Sequence, residues 1–282
     1  MNNQKKNFPS LNPIVGVMIS PNKINSFKKQ QPYEKLLVLK HASDKTNVIM
    51  FYFCIKDVNL KRKKILGTYF NEDHQMWQKK EFPFPNIIYK RGIATGAYKD
   101  ITLLFKRELK KRKVKPLNYQ FRFDKWEVYE NLKQYDELTP HLPVTTIYKT
   151  PKDLLDMFNI TDKIYIKACR GGQGKQVIRA IKLPDGGYEY SYFLNKLHIY
   201  RVKSLTKLVK ELLAFFRNDK FILQQAIDLI NIDQSIVDLR AEVQKNGQGH
   251  ITFAGIPVRI SQRNSPITTH ATSYTFNHFF EK

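Results

Sequence analysis

Short apolar runs alternate with polar, lysine-rich segments over the first third of the chain. Because these runs are rich in β-branched and aromatic residues, they predict strands. The predicted strands cover residues 13–19, 35–40, 46–55 and 85–90. The third run has few polar residues, which is typical of a strand without a solvent-exposed face. This part of the chain therefore predicts a small α/β unit.

A helical pattern follows, in which apolar side chains recur at spacings of three and four residues. They are Ile101, Leu104, Phe105 and Leu109. The spacing predicts an amphipathic helix over residues 98–113 with a basic outer face, and Pro116 ends it. We place a domain boundary at Pro116, so that a basic domain covers residues 1–116 and a second domain covers residues 117–282.

Helices in the second domain are predicted from their caps and their apolar periodicity. Residues 123–135 predict a helix with Asp124 as the N-cap. Residues 150–158 predict another, capped by Thr150. A third, clearly amphipathic helix is predicted over residues 205–218.

Strands lie between these helices. They are predicted within residues 141–150, on both sides of a glycine-rich turn in residues 162–183, and over residues 188–194 and 221–227. Residues 237–261 predict a β-hairpin closed by an Asn246-Gly247 turn. The mixture of helices and strands predicts an α/β (α+β) fold.

Charge is distributed unevenly along the chain. The 282 residues contain 48 Lys and Arg against 25 Asp and Glu, a net charge of +23. Residues 1–116 hold 25 of the basic and 8 of the acidic side chains, and the remainder hold 23 and 17. Such asymmetry favours a polyanionic partner, for example nucleic acid or another anionic polymer. The alternative is an ordinary solvated surface.

Composition excludes several other classes of protein. Apolar residues make up 42% of the chain, which excludes a disordered or fibrous protein. The longest apolar run, residues 48–55, is far shorter than the roughly 20 residues of a membrane-spanning helix. The amino terminus is polar, so no secretory signal is predicted. Two cysteines cannot build a disulfide framework or a zinc site. We therefore expect a soluble, cytoplasmic protein.

The sharpest local motif is RGGQGKQ, residues 170–176. Its three glycines let backbone N–H groups approach a phosphate, and Arg170 and Lys175 add positive charge. It is not a P-loop, because Gln176 follows Lys175, and it is not a dinucleotide fingerprint, because Val177 stands where a further glycine belongs. The alternative interpretation is a simple hairpin turn.

Two lysines strengthen the phosphate interpretation. Lys167 ends the strand just before the loop, and Lys125 stands at the head of an earlier helix, where the positive helix end attracts anions. Residues 221–227 and the DLR segment at Asp238 follow downstream. Asp238 and Arg240 are alternatively a structural ion pair.

The order of these motifs resembles the ATP-grasp fold, and in particular the YheC/YheD-like ATP-grasp family, described as endospore coat-associated. The resemblance lies in NIIYKRG, FRFDKWEVYENL followed by HLPVT, FILQQAIDLI, and DLRAEVQKNGQGHITFAGIPVRISQRNSPITTHA. It extends from about Asn86 to His270, which is about two-thirds of the chain. It implies an ATP-grasp domain preceded by a small α/β pre-ATP-grasp domain.

The resemblance also implies roles for individual residues. Lys125 and Lys167 would contact ATP phosphates from two sides. Arg240 and Arg259 would stabilise charge on the transferred phosphoryl group and on the bound carboxylate. The flexible lid over the phosphates would consist of Gly171, Gly172, Gln173, Gly174 and Lys175. The residues along the adenine edge would be Gln224, Gln225 and Ile227.

The family chemistry implied is phosphorylation of a carboxylate by ATP to an acyl phosphate, which an amine then attacks. ATP-grasp sequences end with acidic residues and an asparagine that hold magnesium. In this sequence Glu281 is the only acidic residue after His270. We therefore expect a C-terminally incomplete ATP-grasp domain without magnesium ligands. Three hypotheses follow: a carboxylate–amine ligase with unidentified substrates, an inactive structural protein of the spore coat that has coat proteins as partners, and a polyanion-binding protein.

Overall fold

The computed structural model describes residues 12–92, 98–118, 123–172, 174–217, 219–268 and 271–281. The chain divides into two compact units, Met1–Phe121 and Arg122–Lys282. This division lies a few residues beyond the predicted boundary at Pro116, which stays a prediction of domain organisation.

The first unit is built on a mixed seven-stranded sheet. Its strands are β1 (Ile14–Met18), β2 (Ile49–Phe53), β3 (Val58–Asn59), β4 (Lys64–Asn71), β5 (Met76–Pro83), β6 (Ile87–Lys90) and β7 (Lys115–Pro116), and its helices are α1 (Pro21–Lys28), α2 (Glu34–Asp44) and α3 (Lys99–Lys111). The order is β3-β4-β2-β1-β6-β7, with β5 paired to β4. Strands β2, β1, β6 and β7 run parallel, while β4 and β5 form an antiparallel hairpin. Apolar side chains of the sheet and of α3 form one buried core.

Most sequence predictions for this unit are confirmed, one is wrong, and one hairpin was missed. The structure has strands within 13–19, 46–55 and 85–90 and a helix within 98–113. The run at 35–40 is α2 instead of a strand, because its leucines and lysines favour a helix and only Leu36 is buried. The β4–β5 hairpin was not predicted, since polar residues dilute its alternation.

The second unit contains a six-stranded antiparallel sheet. Its strands are β8 (Thr145–Ile147), β9 (Lys163–Ala168), β10 (Val177–Lys182), β11 (Tyr188–Phe193), β12 (Leu197–Val202) and β13 (Phe221–Gln225), in the order β12-β11-β10-β9-β13-β8. Helices α4 (Lys125–Leu132), α5 (Pro151–Ile160) and α6 (Leu205–Phe216) belong to the same unit. One face of the sheet buries its apolar residues against α5 and α6. Side chains alternate along a strand, so Tyr165 and Lys167 lie on the opposite face.

A smaller four-stranded sheet follows, with the order β14-β15-β18-β19. Its strands are β14 (Asn231–Ile232), β15 (Ser235–Leu239), β18 (Val258–Ile260) and β19 (Thr272–Tyr274). Between β15 and β18 the chain forms an exposed ribbon of β16 (Glu242–Lys245) and β17 (Ile251–Gly255), and α7 (Phe276–Phe280) comes last.

The predicted helix caps of this unit are confirmed. The Asp124 carboxylate accepts backbone hydrogen bonds from Trp126 and Glu127 at the start of α4. Thr150 and Asp153 form a reciprocal capping box at the start of α5. Both caps satisfy N–H groups that the first helical turn leaves without partners.

The predicted hairpin over 237–261 is only partly right. It consists of two separate ladders, β15 with β18 and β16 with β17. The turn is a five-residue loop rather than a two-residue turn, since Lys245 pairs with Ile251. Gly249 takes the positive φ of +84°. The Asn246 side chain shapes the loop by accepting hydrogen bonds from two backbone N–H groups further along it.

Among the described residues, the structure contains no helix with the length and apolar character that a bilayer crossing requires.

Candidate functional site

A cleft of about 500 Å³ opens on the free face of the six-stranded sheet, within the second unit. Strands β9, β10 and β13 form one wall, and residues of the four-stranded sheet and of the segment Pro266–Thr268 form the other. Its size lies in the range typical of small-molecule sites. The predicted site residues that line it are Lys125, Lys167, Gly172, Gly174, Gln224, Gln225, Ile227, Arg240 and Arg259.

The remaining predicted site residues lie in the glycine-rich loop. Lys175 is exposed and does not line the cleft. Gly171 is also outside the lining, but its carbonyl oxygen accepts a hydrogen bond from the Lys125 ammonium over 3.3 Å. Gln173 lies outside the described residues.

Lys125 connects helix α4 to the end of strand β9. Its backbone N–H donates to the carbonyl oxygen of Cys169 over 2.9 Å, and its Nζ donates to that of Ala168 over 2.8 Å. Burial lowers the pKa of Lys125, because the charged form loses hydration. The ammonium is thus held where the β9 strand passes into the glycine-rich loop.

Lys167 is the most perturbed cation of the cleft. Its Nζ donates to Oε1 of Gln224 over 2.6 Å and lies 5.2 Å from the centre of the Tyr165 ring. Burial, together with the nearby Lys125 charge, lowers the pKa of Lys167 to about 8. An anion placed between the two lysines would stabilise their charged forms and therefore raise the pKa of both.

No carboxylate of the described residues lies within 4.0 Å of either ammonium. Two acidic side chains of the region are already paired, Asp124 with Arg170 and Asp238 with Arg259. Neither ammonium therefore has an ion-pair partner among the described residues, although the Asp124 carboxylate acts on Lys125 from beyond this distance and partly offsets the lowering of its pKa.

Two glycines of the loop differ in what they require. Gly174 has a φ of +68°, a conformation that favours glycine for its own backbone. At Gly172, a Cβ atom would meet no protein atom within 4 Å. Packing within the protein therefore does not require a glycine at position 172. Close approach of a ligand to the backbone would require one.

The two arginines of the cleft, Arg240 and Arg259, differ in whether their side chains form an ion pair. Arg259 forms a two-point ion pair with Asp238, whose Oδ2 also accepts a hydrogen bond from the Thr268 hydroxyl over 2.6 Å. The alternative of an Asp238–Arg240 pair is therefore wrong, because the antiparallel register places Asp238 opposite Arg259. The Arg240 side chain is exposed and makes no ion pair with the described residues.

Sequence reasoning missed the apolar part of the lining. It consists of Tyr165, Val177, Leu229, Ile236, Pro266 and Ile267. Tyr165 was accessible to prediction, since it lies two residues before Lys167 and side chains alternate along a strand. The others come from four different parts of the chain, which only the fold brings together.

The described residues of the cleft do not fit a magnesium site. Asp238 is the one carboxylate in the lining, and both of its oxygens already accept hydrogen bonds from Arg259. Magnesium requires near-octahedral oxygen ligands, normally with one or two carboxylates available. Nowhere in the described part of the chain do three acidic, histidine or cysteine side chains form a group that could bind a metal ion.

An antiparallel sheet that carries Lys167 and a glycine-rich loop, a second lysine at the start of helix α4, and a second sheet across the cleft together define a protein of the ATP-grasp class. The family model for YheC/D-like ATP-grasp proteins matches residues 113–282. The chain therefore belongs to this family, and the resemblance inferred from the sequence is confirmed, as is the α/β ATP-grasp fold.

Individual relatives are similar over most of the chain. The endospore coat-associated protein YheD of Bacillus subtilis (strain 168) is 27% identical over 277 residues, which are 93% of this chain and 58% of the relative. The chain thus spans little more than half of that relative. Among solved structures, the RimK domain ATP-grasp protein of Sphaerobacter thermophilus is 13% identical, with a TM-score of 0.46 over 89% of this chain and 75% of that one. D-alanyl-alanine synthetase A of Vibrio cholerae is 12% identical, with a TM-score of 0.42 over 95% and 71%.

Proposed function

We propose that the second unit binds ATP or ADP in the cleft through the phosphate groups. The observation that carries this proposal is the pair of ammonium groups of Lys125 and Lys167, which have no carboxylate partner among the described residues. Charge-assisted hydrogen bonds from lysine to phosphate are among the stronger polar contacts in proteins. The family membership supports the same ligand.

The other lining residues suit the rest of a nucleotide. The backbone at Gly172 is open to close approach by a phosphate, and Gln173 and Lys175 complete the proposed lid. Gln224 and Gln225 end strand β13 and Ile227 lies two residues beyond it, where backbone groups can read a purine edge. The Tyr165 ring adds an apolar surface on which a base can pack.

The proposed reaction class is ATP-dependent carboxylate–amine ligation. A carboxylate oxygen of the first substrate attacks the γ-phosphorus and ADP leaves. An amine then attacks the acyl carbon and phosphate leaves. Arg240, whose guanidinium makes no ion pair with the described residues, would hold the carboxylate, and Arg259 would add charge from its position on Asp238.

Calorimetry with ADP tests nucleotide binding. Lys167→Ala should weaken binding about tenfold or more, because it removes a charge-assisted contact. Lys163→Ala is the matched control, since Lys163 lies on the same face of β9 and pairs with the exposed Asp228 outside the cleft. Equal affinity of the wild type, Lys167→Ala and Lys125→Ala would contradict the proposal.

The name of the Bacillus subtilis relative supports a proposed association with the endospore coat. A coat protein that binds nucleotide without turnover is the alternative to a ligase. Release of ADP by the purified chain, with amino acids and peptides supplied as substrates, distinguishes the two. A fluorescent fusion that stays evenly distributed in sporulating cells would contradict the coat association.

A second candidate function is binding of a polyanion by the first unit. Helix α3 carries Lys99, Lys106, Arg107 and Lys110 on one face, and none of them forms an ion pair among the described residues. Lys106 also lies close enough to Lys90 to contribute to the lowering of the Lys90 pKa, which burial dominates. This concentration of positive charge favours an anionic polymer as a ligand of this surface.

A further inference from the structure

The ammonium of Lys167 is fixed by a chain of uncharged hydrogen-bonding groups that reaches the far edge of the sheet. The Nζ atom donates to Oε1 of Gln224 over 2.6 Å. The Nε2 atom of Gln224 donates to Oγ1 of Thr145 over 2.9 Å, and the Thr145 hydroxyl donates to the carbonyl oxygen of Pro143 over 2.8 Å. Strands β9, β13 and β8 are neighbours, which brings the three side chains together.

The direction of every bond in this chain is determined by its two ends. The Lys167 ammonium can only donate, and the Pro143 carbonyl oxygen can only accept. Thr145 has a single hydroxyl proton, which the Pro143 oxygen takes, so its oxygen must accept from the Gln224 amide. The Gln224 carbonyl oxygen therefore faces Lys167, and the amide has no equivalent flipped orientation.

The two middle groups of this hydrogen-bonded series, Gln224 and Thr145, are well shielded from water. Thr145 is only 7% exposed, and Gln224 is partly buried. A buried amide that loses its partner pays a desolvation cost, so the Gln224 side chain is held firmly as long as Thr145 accepts its hydrogen bond. The oxygen and the nitrogen of the Gln224 amide are both used within the protein. The Lys167 ammonium donates one of its three N–H groups to Gln224, which leaves donors for a ligand.

On the basis of the proposed nucleotide function, we propose that Thr145 and Gln224 are positioning residues that aim the Lys167 ammonium at the nucleotide phosphates while leaving its charge unneutralised. A carboxylate at 224 would hold the same ammonium equally well, but it would neutralise the charge that attracts the phosphates. The uncharged Gln224 amide therefore holds the Lys167 ammonium in place without neutralising its charge.

The other charged or titratable groups that line the cleft with Lys167 are Lys125, Tyr165, Asp238, Arg240 and Arg259. Asp238 is the one acid among them, and it is paired with Arg259. A change in the titration of Lys167 on substitution of Gln224 is therefore attributable to position 224.

The test is ADP affinity measured by calorimetry between pH 7.5 and 10, with thermal unfolding of each variant recorded in parallel. In the wild type, affinity should fall as the pH rises through about 8, where Lys167 loses its proton. Gln224→Glu should bind ADP about tenfold more weakly at pH 7.5 and shift this fall to higher pH, because the new carboxylate neutralises the ammonium and raises its pKa. A merely structural role would not move the midpoint.

Thr145→Val should weaken ADP binding several-fold, as expected from the loss of one buried hydrogen bond, and Thr145→Ser should restore it. Thr146→Val is the matched control, since Thr146 is the next residue of β8 and points to the other face. Wild-type affinity in both Thr145→Val and Gln224→Glu, or uniform weakening without a shift of the midpoint in Gln224→Glu, would overturn the inference. Failure of the wild type to bind ADP would instead overturn the proposed function.

Discussion

Asp238 and Arg259 lie opposite each other on the neighbouring strands β15 and β18 and form a two-point ion pair, with Nε–Oδ1 and Nη2–Oδ2 distances of 2.6 and 2.5 Å. Their side chains are 23% and 21% exposed. The pair therefore ties the two strands together at the wall of the cleft and leaves Arg240 as the cation of this wall without an ion-pair partner among the described residues.

Removal of Arg259 should destabilise the second unit. Arg259→Ala leaves the Asp238 carboxylate partly buried with Thr268 as its remaining side-chain partner, so we expect a loss of about 1–3 kcal/mol. Urea unfolding followed by circular dichroism measures the loss. Lys245→Ala, on the exposed ribbon, serves as the control and should change stability little. Equal midpoints for both variants would contradict a stabilising role for the pair.

Two glycine substitutions should separate ligand approach from backbone strain. Gly172→Ala should leave the free energy of unfolding nearly unchanged, since its Cβ meets no protein atom, and should weaken ADP binding by crowding the phosphate. Gly174→Ala should destabilise the fold by about 1 kcal/mol, because alanine disfavours its positive φ. Unchanged ADP affinity in Gly172→Ala would show that the backbone at 172 does not approach the ligand.

Stability without nucleotide should depend on pH through Lys167. Its pKa is about 8 in the fold against 10.5 without perturbation, so the unfolded chain binds more protons between these values. The contribution of Lys167 to stability should therefore rise as the pH increases from 8 to 10.5, by up to about 3 kcal/mol. Lys167→Met should remove this rise. Chemical denaturation at pH 7.5, 9 and 10 checks it, and identical slopes in both proteins would contradict it.

The basic face of α3 should bind polyanions in a salt-dependent manner. If it neutralises phosphates, the logarithm of the affinity for a DNA duplex should fall linearly with the logarithm of the salt concentration. Replacing Lys106 and Lys110 with glutamate should weaken binding and reduce this slope by about 2. Lys28→Glu and Lys45→Glu together provide a control of equal charge elsewhere on the unit. Equal loss in both double variants would indicate a net-charge effect without a specific surface.

The sequence determined those features whose causes are local. Asp124 and Thr150 cap helices because capping acts over three residues, and the three glycines mark a loop because their backbone freedom is their own property. The order of the two lysines, the loop and the DLR segment indicated the ATP-grasp fold, and longer segments such as FRFDKWEVYENL and FILQQAIDLI indicated the family. The run at 35–40 shows the limit of such reasoning, because a short apolar run is compatible with a strand and with a helix, and in the fold it forms α2 with only Leu36 buried.

Only the tertiary structure decided the partners within the cleft. Lys167 meets Gln224 across 57 positions of the sequence, and Gln224 meets Thr145 across 79. Asp238 pairs with Arg259 instead of the nearby Arg240, because strand register places Arg259 directly opposite Asp238, whereas Arg240 lies just beyond the end of β15. Register is fixed by the burial of one whole sheet face, which sums over many residues and therefore cannot be assigned from a single motif.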